Sequence, residues 1–253
     1  MELFIILYLA VLGLCLGSFY NVVGLRLPNG NLFTRARSYC PSCDRTLAAQ
    51  DLYPLFSYLF LKGKCRSCQA PISPLYPLIE LSTATLFVFA FWQIGFDLEL
   101  LVAFLLISLL MIIIVTDIRY MLIPNKLLLF FSPFFIGLRM FVVPFEHWWE
   151  LPLGAAVGFG LLLLIAIISK GGMGGGDVKL FALLGAILGF ELVLLAFMFS
   201  CFFGAAIGGV LMLTGKVKRK QPIPFGPFIV LGTLLSYFYG HDLIVWYLHI
   251  SGF

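Results

Sequence analysis

Long apolar runs almost free of charge decide what this chain can become. Of its residues 62% are hydrophobic and only 11% are charged. A soluble domain carries closer to a quarter charged residues, and a fold of this size cannot hide so much apolar surface from water. Charges, Gly and Pro divide the runs into spans at 3–24, 77–95, 99–116, 126–143, 151–169, 178–190, 192–214 and 223–240. Most approach the ~20 residues that a helix needs to cross a bilayer. The sequence therefore predicts an all-α, polytopic membrane protein with about eight transmembrane helices. The first run begins at Leu3 with no basic segment before it, and continues to Val23 without a small-residue cleavage site. It reads as a retained helix. The sixth span is short: at 1.5 Å per residue it reaches about 20 Å, against a ~30 Å hydrocarbon core.

Basic residues set an orientation. Arg26, Arg35, Arg37, Arg45, Lys62, Lys64 and Arg66 fall between the first two spans, which makes that segment cytoplasmic. Alternation then places Arg119, Lys126, Lys170, Lys179, Lys216, Lys218, Arg219 and Lys220 on the same side. Arg139 alone falls near the other face, while Asp97, Glu99, Glu146, Glu150, Glu191 and Asp242 collect there. Eight crossings with both termini outside satisfy this distribution. The expected organisation is a first helix over 1–24, a cytoplasmic loop subdomain over 25–76 and a membrane core over 77–253.

The loop contains Cys40-Pro41-Ser42-Cys43 and Cys65-Arg66-Ser67-Cys68, with 21 residues between the pairs. Two such knuckles can surround one tetrahedral zinc with four thiolates, and basic neighbours Arg45, Lys64 and Arg66 offset the negative charge. Four protein ligands leave no open position, so the zinc is expected to be structural. A redox pair and four unliganded thiols are the competing readings; a cytoplasmic location disfavours structural disulfides. Cys15 and Cys201 lie within apolar spans and read as small buried hydrophobes.

Ionisable residues in or beside membrane spans are functional candidates, because they are costly to keep there. Asp117 ends the third span, with Ile123-Pro124-Asn125 just beyond it; Asp177 opens the sixth, after Gly174-Gly175-Gly176. They lie 60 residues apart in sequence, yet the topology puts both at the cytoplasmic edge. Two adjacent carboxylates tend to share one proton, so the charged member can deprotonate water while the neutral one polarises a peptide carbonyl. Glycines before Asp177 leave room for another backbone and expose the unpaired amides of a helix start. The plainer alternatives are a helix cap at Asp177 and an interfacial charge at Asp117 paired with Arg119.

At this point the residues resemble the prepilin peptidases, or type IV leader peptidases, over nearly the whole chain. Gly17-Ser18-Phe19-Tyr20-Asn21-Val22-Val23 with Arg26-Leu27-Pro28 is similar to their N-terminal signature. The two Cys pairs match, as do Leu61-Lys62-Gly63-Lys64-Cys65, Ile72-Ser73 and Tyr76-Pro77-Leu78-Ile79-Glu80. Asp117 with Ile123-Pro124-Asn125 resembles the first catalytic motif, and Gly174-Gly175-Gly176-Asp177 resembles the Gly-x-Gly-Asp motif of the second. Pro224-Phe225-Gly226-Pro227 matches the motif before the last span. Asp51-Leu52-Tyr53-Pro54 departs from the Asn-Ile-Pro type of run common in relatives.

The resemblance implies an aspartic endopeptidase of a bacterial cytoplasmic (inner) membrane, with Asp117 and Asp177 catalytic and the active site facing the cytoplasm. Its substrates would be pilin or pseudopilin precursors of pili, secretion or competence systems, and no nucleic-acid partner is expected. The long loop with both Cys pairs is typical of members that then methylate the new N-terminal amine from S-adenosylmethionine. Glu80 is a candidate anchor for an amine or for that cofactor, against a helix-end charge paired with a loop arginine. Asn21 would orient substrate backbone or bond a neighbouring helix. Gly174, Gly176, Lys179 and Asn125 would support the site, although Lys179 and Arg119 also suit positive-inside anchors. A presenilin-like intramembrane protease shares the Gly-x-Gly-Asp motif and is the second enzymatic reading. A transporter or assembly scaffold is the third, disfavoured because its acids would be expected at the membrane midplane.

Overall fold

A computed structural model describes residues 2–30, 32, 37–169, 173–215 and 223–251. Every expected span is helical, and no extended strand occurs among the described residues. Seven helical stretches are long and apolar enough to cross a membrane. The eighth expected crossing is a helix of 14 residues, shorter than the others. The chain divides into two compact units, 1–119 and 120–253.

The first unit holds α1 (Glu2–Arg26), α2 (Phe56–Phe60), α3 (Leu75–Ile94) and α4 (Glu99–Tyr120), the last of which ends at the unit boundary. Small residues set the seam between α1 and α3. A Cβ on Gly13 would come within 2.5 Å of the Ala84 Cα, and one on Gly17 within 2.6 Å of the Glu80 Cα. Backbones can approach so closely only where side chains are absent, the usual way helices associate in lipid. One turn further, the Asn21 amide donates to the Tyr76 carbonyl at 3.1 Å. The pairs 13/84, 17/80 and 21/76 describe an antiparallel register. On its other side α1 meets α4 through Tyr20 with Ser108 and Gly24 with Val115, a parallel register. The C-terminal ends of α1 and α4 and the start of α3 therefore share one end of this unit, as does the loop joining α1 to α3.

The second unit holds α5 (Asn125–Gly137), α6 (Glu150–Ile168), α7 (Gly175–Leu188), α8 (Phe190–Leu213) and α9 (Gly226–Ser251). Pro133 removes one hydrogen bond inside α5, which passes into a π-helical turn over Leu138–Val142. The sixth span starts at Gly175, slightly earlier than expected, and Asp177 opens it from the first turn of α7. The last helix runs to Ser251, well beyond the expected 240; Asp242 and His241 do not stop it because charge is no barrier to a helix that leaves lipid. α6 and α7 pack antiparallel and almost backbone to backbone. A Cβ at Gly154 would overlap the Gly185 carbonyl, and one at Gly158 would overlap that of Phe181.

Arg139, the basic residue that charge placed near the far face, is buried. Its Nε donates to the Ile187 carbonyl at 2.9 Å, and its guanidinium lies 4.8 Å from the Phe145 ring centroid. α7 ends far short of the membrane thickness, so its last carbonyls need donors other than water. Arg139 provides one.

Two expectations need correction or limits. Cys15 and Cys201 are exposed on the outer faces of α1 and α8, not buried; a lipid-facing position is as apolar as a core, so hydropathy could not separate them. Arg35, Lys170, Lys216, Lys218, Arg219 and Lys220 lie outside the described residues.

Candidate active site and metal centre

The loop of the first unit builds the same knuckle twice. Tyr39 bridges Thr46 around the first Cys pair, and Lys64 bridges Pro71 around the second. In each, the first cysteine's amide bonds the residue five places on (Cys40 to Arg45, Cys65 to Ala70, both 2.9 Å). The residue after each second cysteine, Asp44 and Gln69, takes a positive φ of 52° and 58°. That turn folds each pair so that backbone N–H groups point at sulfur. The four Sγ atoms of Cys40, Cys43, Cys65 and Cys68 consequently lie within 4.8 Å of one another. Thiolates about 2.3 Å from a tetrahedral zinc would be separated by a little less than this, so the set fits one metal ion.

The local field favours thiolate at the first cysteine of each knuckle. The Cys68 amide holds the Cys65 thiol down to about 6, and the Ser42 amide lowers that of Cys40. At Cys68 the Ala70 amide lowers the thiol's pKa, but burial and the neighbouring sulfurs outweigh it and push it up to about 11. Crowded sulfurs cannot all ionise without a cation, which is the electrostatic condition that a metal relieves. Arg45 donates to Ser67 across the two knuckles, and Arg66 bonds Asp51 at 2.7 Å.

Asp117 sits in the last turn of α4 and is 6% exposed. It lies at the end of the first unit that also carries the cysteine loop, because α4 runs parallel to α1. In the second unit, Asp177 is half-buried in the first turn of α7. Its amide bonds the Gly174 carbonyl at 3.1 Å, and a Cβ on Gly174 would stand 3.0 Å from Asp177 Oδ2. A Cβ on Gly176 would stand 3.0 Å from the Ile123 Cβ. Gly174 leaves the carboxylate's flank open, and Gly176 brings the start of α7 against Ile123. Lys179 Nζ donates to Asn125 Oδ1 at 3.1 Å, tying the starts of α5 and α7 together. The structure thus brings together Gly174, Gly176, Lys179, Asn125 and Asp177 in one unit.

Asn21 and Glu80 both lie on the α1–α3 seam of the first unit, at neighbouring turns. Glu80 accepts from the Leu55 amide at 2.7 Å and from Ser18, and has no ion pair among the described residues. The expected loop arginine is replaced by a backbone donor. The contribution of Leu55 had no signal in the sequence, since any residue can offer its amide.

The comparisons with known proteins agree with this layout. Residues 11–94 match the model of the bacterial peptidase A24 N-terminal domain, and residues 104–209 match that of the type IV leader peptidase family. The prepilin leader peptidase/N-methyltransferase of Bacillus subtilis (strain 168) is 47% identical over 96% of this chain and 98% of its own length. The enzymes of the same name from Stutzerimonas stutzeri and Legionella pneumophila are 33% and 31% identical, over 95% and 97% of this chain and 93% and 95% of theirs. No solved structure matches significantly. With helices suited to cross a membrane seven times, a four-cysteine cluster and both family models in order along it, this chain is a multi-pass membrane enzyme belonging to the type IV leader peptidase family.

Proposed function

We propose that this enzyme removes the basic leader from pilin or pseudopilin precursors at the cytoplasmic face of a bacterial inner membrane, with Asp117 and Asp177 as its catalytic dyad. The peptidase core would occupy 77–253. The observation that carries this reading is the start of α7. There Asp177 stands half-buried beside Gly174, whose missing side chain leaves its carboxylate approachable by an extended peptide. Asp117, buried at the end of α4, supplies the second acid of the pair.

With one proton shared between the acids, the ionised member takes a proton from water as the oxygen attacks the scissile carbonyl. The neutral member donates a hydrogen bond to that carbonyl oxygen, then gives its proton to the leaving amine. The pair would titrate as a unit. Lys179, bonded to Asn125, holds the starts of α5 and α7 together beside Asp177.

The cysteine cluster is proposed to hold one zinc with a structural role, fixing the fold of the 25–76 loop. The second proposed activity is methylation of the new N-terminal amine, for which bound S-adenosylmethionine would supply the methyl group. The test is incubation of the purified enzyme with a pilin-like precursor, with and without S-adenosylmethionine, followed by mass spectrometry. A mass loss equal to the leader and a further methyl increment are expected. Cleavage inside the apolar segment of the precursor would instead support the presenilin-like reading. Retained cleavage in Asp117→Asn or Asp177→Asn would overturn the dyad.

A further inference from the structure

The seam between α1 and α3 contains an amide oxygen that no described residue satisfies. Asn21 is 1% exposed, and its Nδ2 donates at 3.1 Å to both the Gly17 and the Tyr76 carbonyls. Two carbonyl partners fix which end of the amide is nitrogen, because a flipped amide would set oxygen against oxygen. Oδ1 is thereby turned away from both and has no hydrogen-bond partner among the described residues. A buried acceptor left unmade costs about 1–3 kcal/mol, so its persistence calls for a donor from elsewhere.

One helical turn along the same seam lies a second acceptor. Gly17, which accepts from Asn21, packs directly on the Glu80 backbone, and Tyr76 and Glu80 are likewise four residues apart on α3. The two residues therefore stand about one turn, roughly 6 Å, apart along the helix axes. Glu80 is 7% exposed and receives two donors, the Leu55 amide and Ser18. A carboxylate offers about four lone-pair sites, so half its capacity is spare. No cation pairs with it among the described residues. The strap that covers it is held in an uncommon conformation: Leu55, whose amide reaches Glu80, has φ 62° and ψ −51°. For a non-glycine residue that geometry is strained, and strain concentrates where a segment is kept in place for a ligand.

Two buried acceptors, one wholly unmet and one anionic, call for a ligand with several N–H donors and a positive charge. We infer that Asn21 Oδ1 and the Glu80 carboxylate form a receptor for a primary ammonium group, closed by the Leu55 strap. This deepens the proposed methyltransferase reading and rests on it for the source of the amine. Two ligands carry the required chemistry: the N-terminal amine of a cleaved substrate and the amino-acid end of S-adenosylmethionine.

Binding to the purified full chain in detergent separates them. One pair of probes is a short apolar peptide with a free N-terminus and the same peptide N-acetylated. The other is S-adenosylhomocysteine and 5′-methylthioadenosine, which keeps the nucleoside and lacks the amine. The expected result is an amine preference of about tenfold or more in one pair, since hydrogen bonds to charged groups are worth ~1.5–3 kcal/mol. In Glu80→Gln, which keeps the side chain's shape, that preference should fall toward one while the amine-free probe of the pair binds as before. If Glu80→Gln binds neither probe, Asn21→Leu is read in the same way. A wild-type protein without preference in either pair overturns the inference, as does a preference that survives either substitution. Methyl transfer is followed by mass in the same preparations. Methyl transfer in a wild-type protein whose preference Glu80→Gln leaves unchanged removes this receptor and leaves the methyltransferase reading standing. A Glu80-dependent preference without any methyl transfer removes that reading alone.

Discussion

The four cysteines and the two aspartates reach their sites by opposite routes. The cysteines belong to one unit and are gathered by two short turns of the same design, each closed by its own backbone hydrogen bonds and a left-handed residue. The aspartates belong to different units, one at the end of α4 and one at the start of α7, and each is placed by the packing of whole helices. A metal knuckle is thus a local object that tolerates change elsewhere. A carboxylate at a helix end inherits every shift of the helix that carries it.

The sharpest way to break that contrast is at the acids themselves. Asp117→Asn or Asp177→Asn should lower leader cleavage by roughly 10²–10⁴-fold, the range of general acid–base catalysis, with metal content unchanged. Loss of metal in either variant would mean that the two regions are not independent. Next in size, Cys65→Ser should reduce bound metal from about one ion per chain toward none, because three ligands and a weak fourth no longer close the tetrahedron. Metal analysis of the purified protein reads this directly, and limited proteolysis should then cut between 37 and 74.

Smaller effects test the helices. Gly154→Val should force α6 from α7, since even a Cβ overlaps the Gly185 carbonyl. Overpacking of this kind costs about 1–3 kcal/mol, measurable as a lower unfolding temperature in detergent together with reduced cleavage. Lys179→Met removes the hydrogen bond to Asn125 and should lower the cleavage rate by at most about tenfold, from a bond worth ~0.5–1.5 kcal/mol. Unchanged kinetics would make Lys179 a topological anchor only.

The smallest effect concerns the loop's acid edge. The hydrogen bond from Arg66 holds the Asp51 carboxyl below its usual range. A depressed carboxylate contributes stability above its unfolded value of about 4, and that contribution is lost as pH falls through the lower folded value. Because Arg66 is partly exposed, the pair is worth no more than about 1 kcal/mol. Asp51→Asn should flatten the loop's acid sensitivity below pH ~4 relative to the wild type.

Much of this was readable along the chain. Hydropathy located each of the eight long apolar helices, though not the short α2, because lipid requires each crossing to satisfy its backbone internally and present an apolar surface. It misjudged the end of α9, where the helix continues past the apolar stretch. It also misjudged which face Cys15 and Cys201 occupy, because lipid and protein interior are equally apolar. The burial of Arg139 against Ile187 followed from the shortness of α7, a consequence that residue type alone did not announce.

What the sequence by itself determined were the two Cys-x-x-Cys pairs and the acids at the helix ends, since spacing and composition dictate them without reference to distant residues. What only the tertiary structure decided was who meets whom. Gly17 lies against Glu80, the unsatisfied oxygen of Asn21 sits one turn away, and Leu55 reaches over them from a loop that carries no motif for it. Backbone amides and missing side chains do that work, and neither has a letter in the sequence.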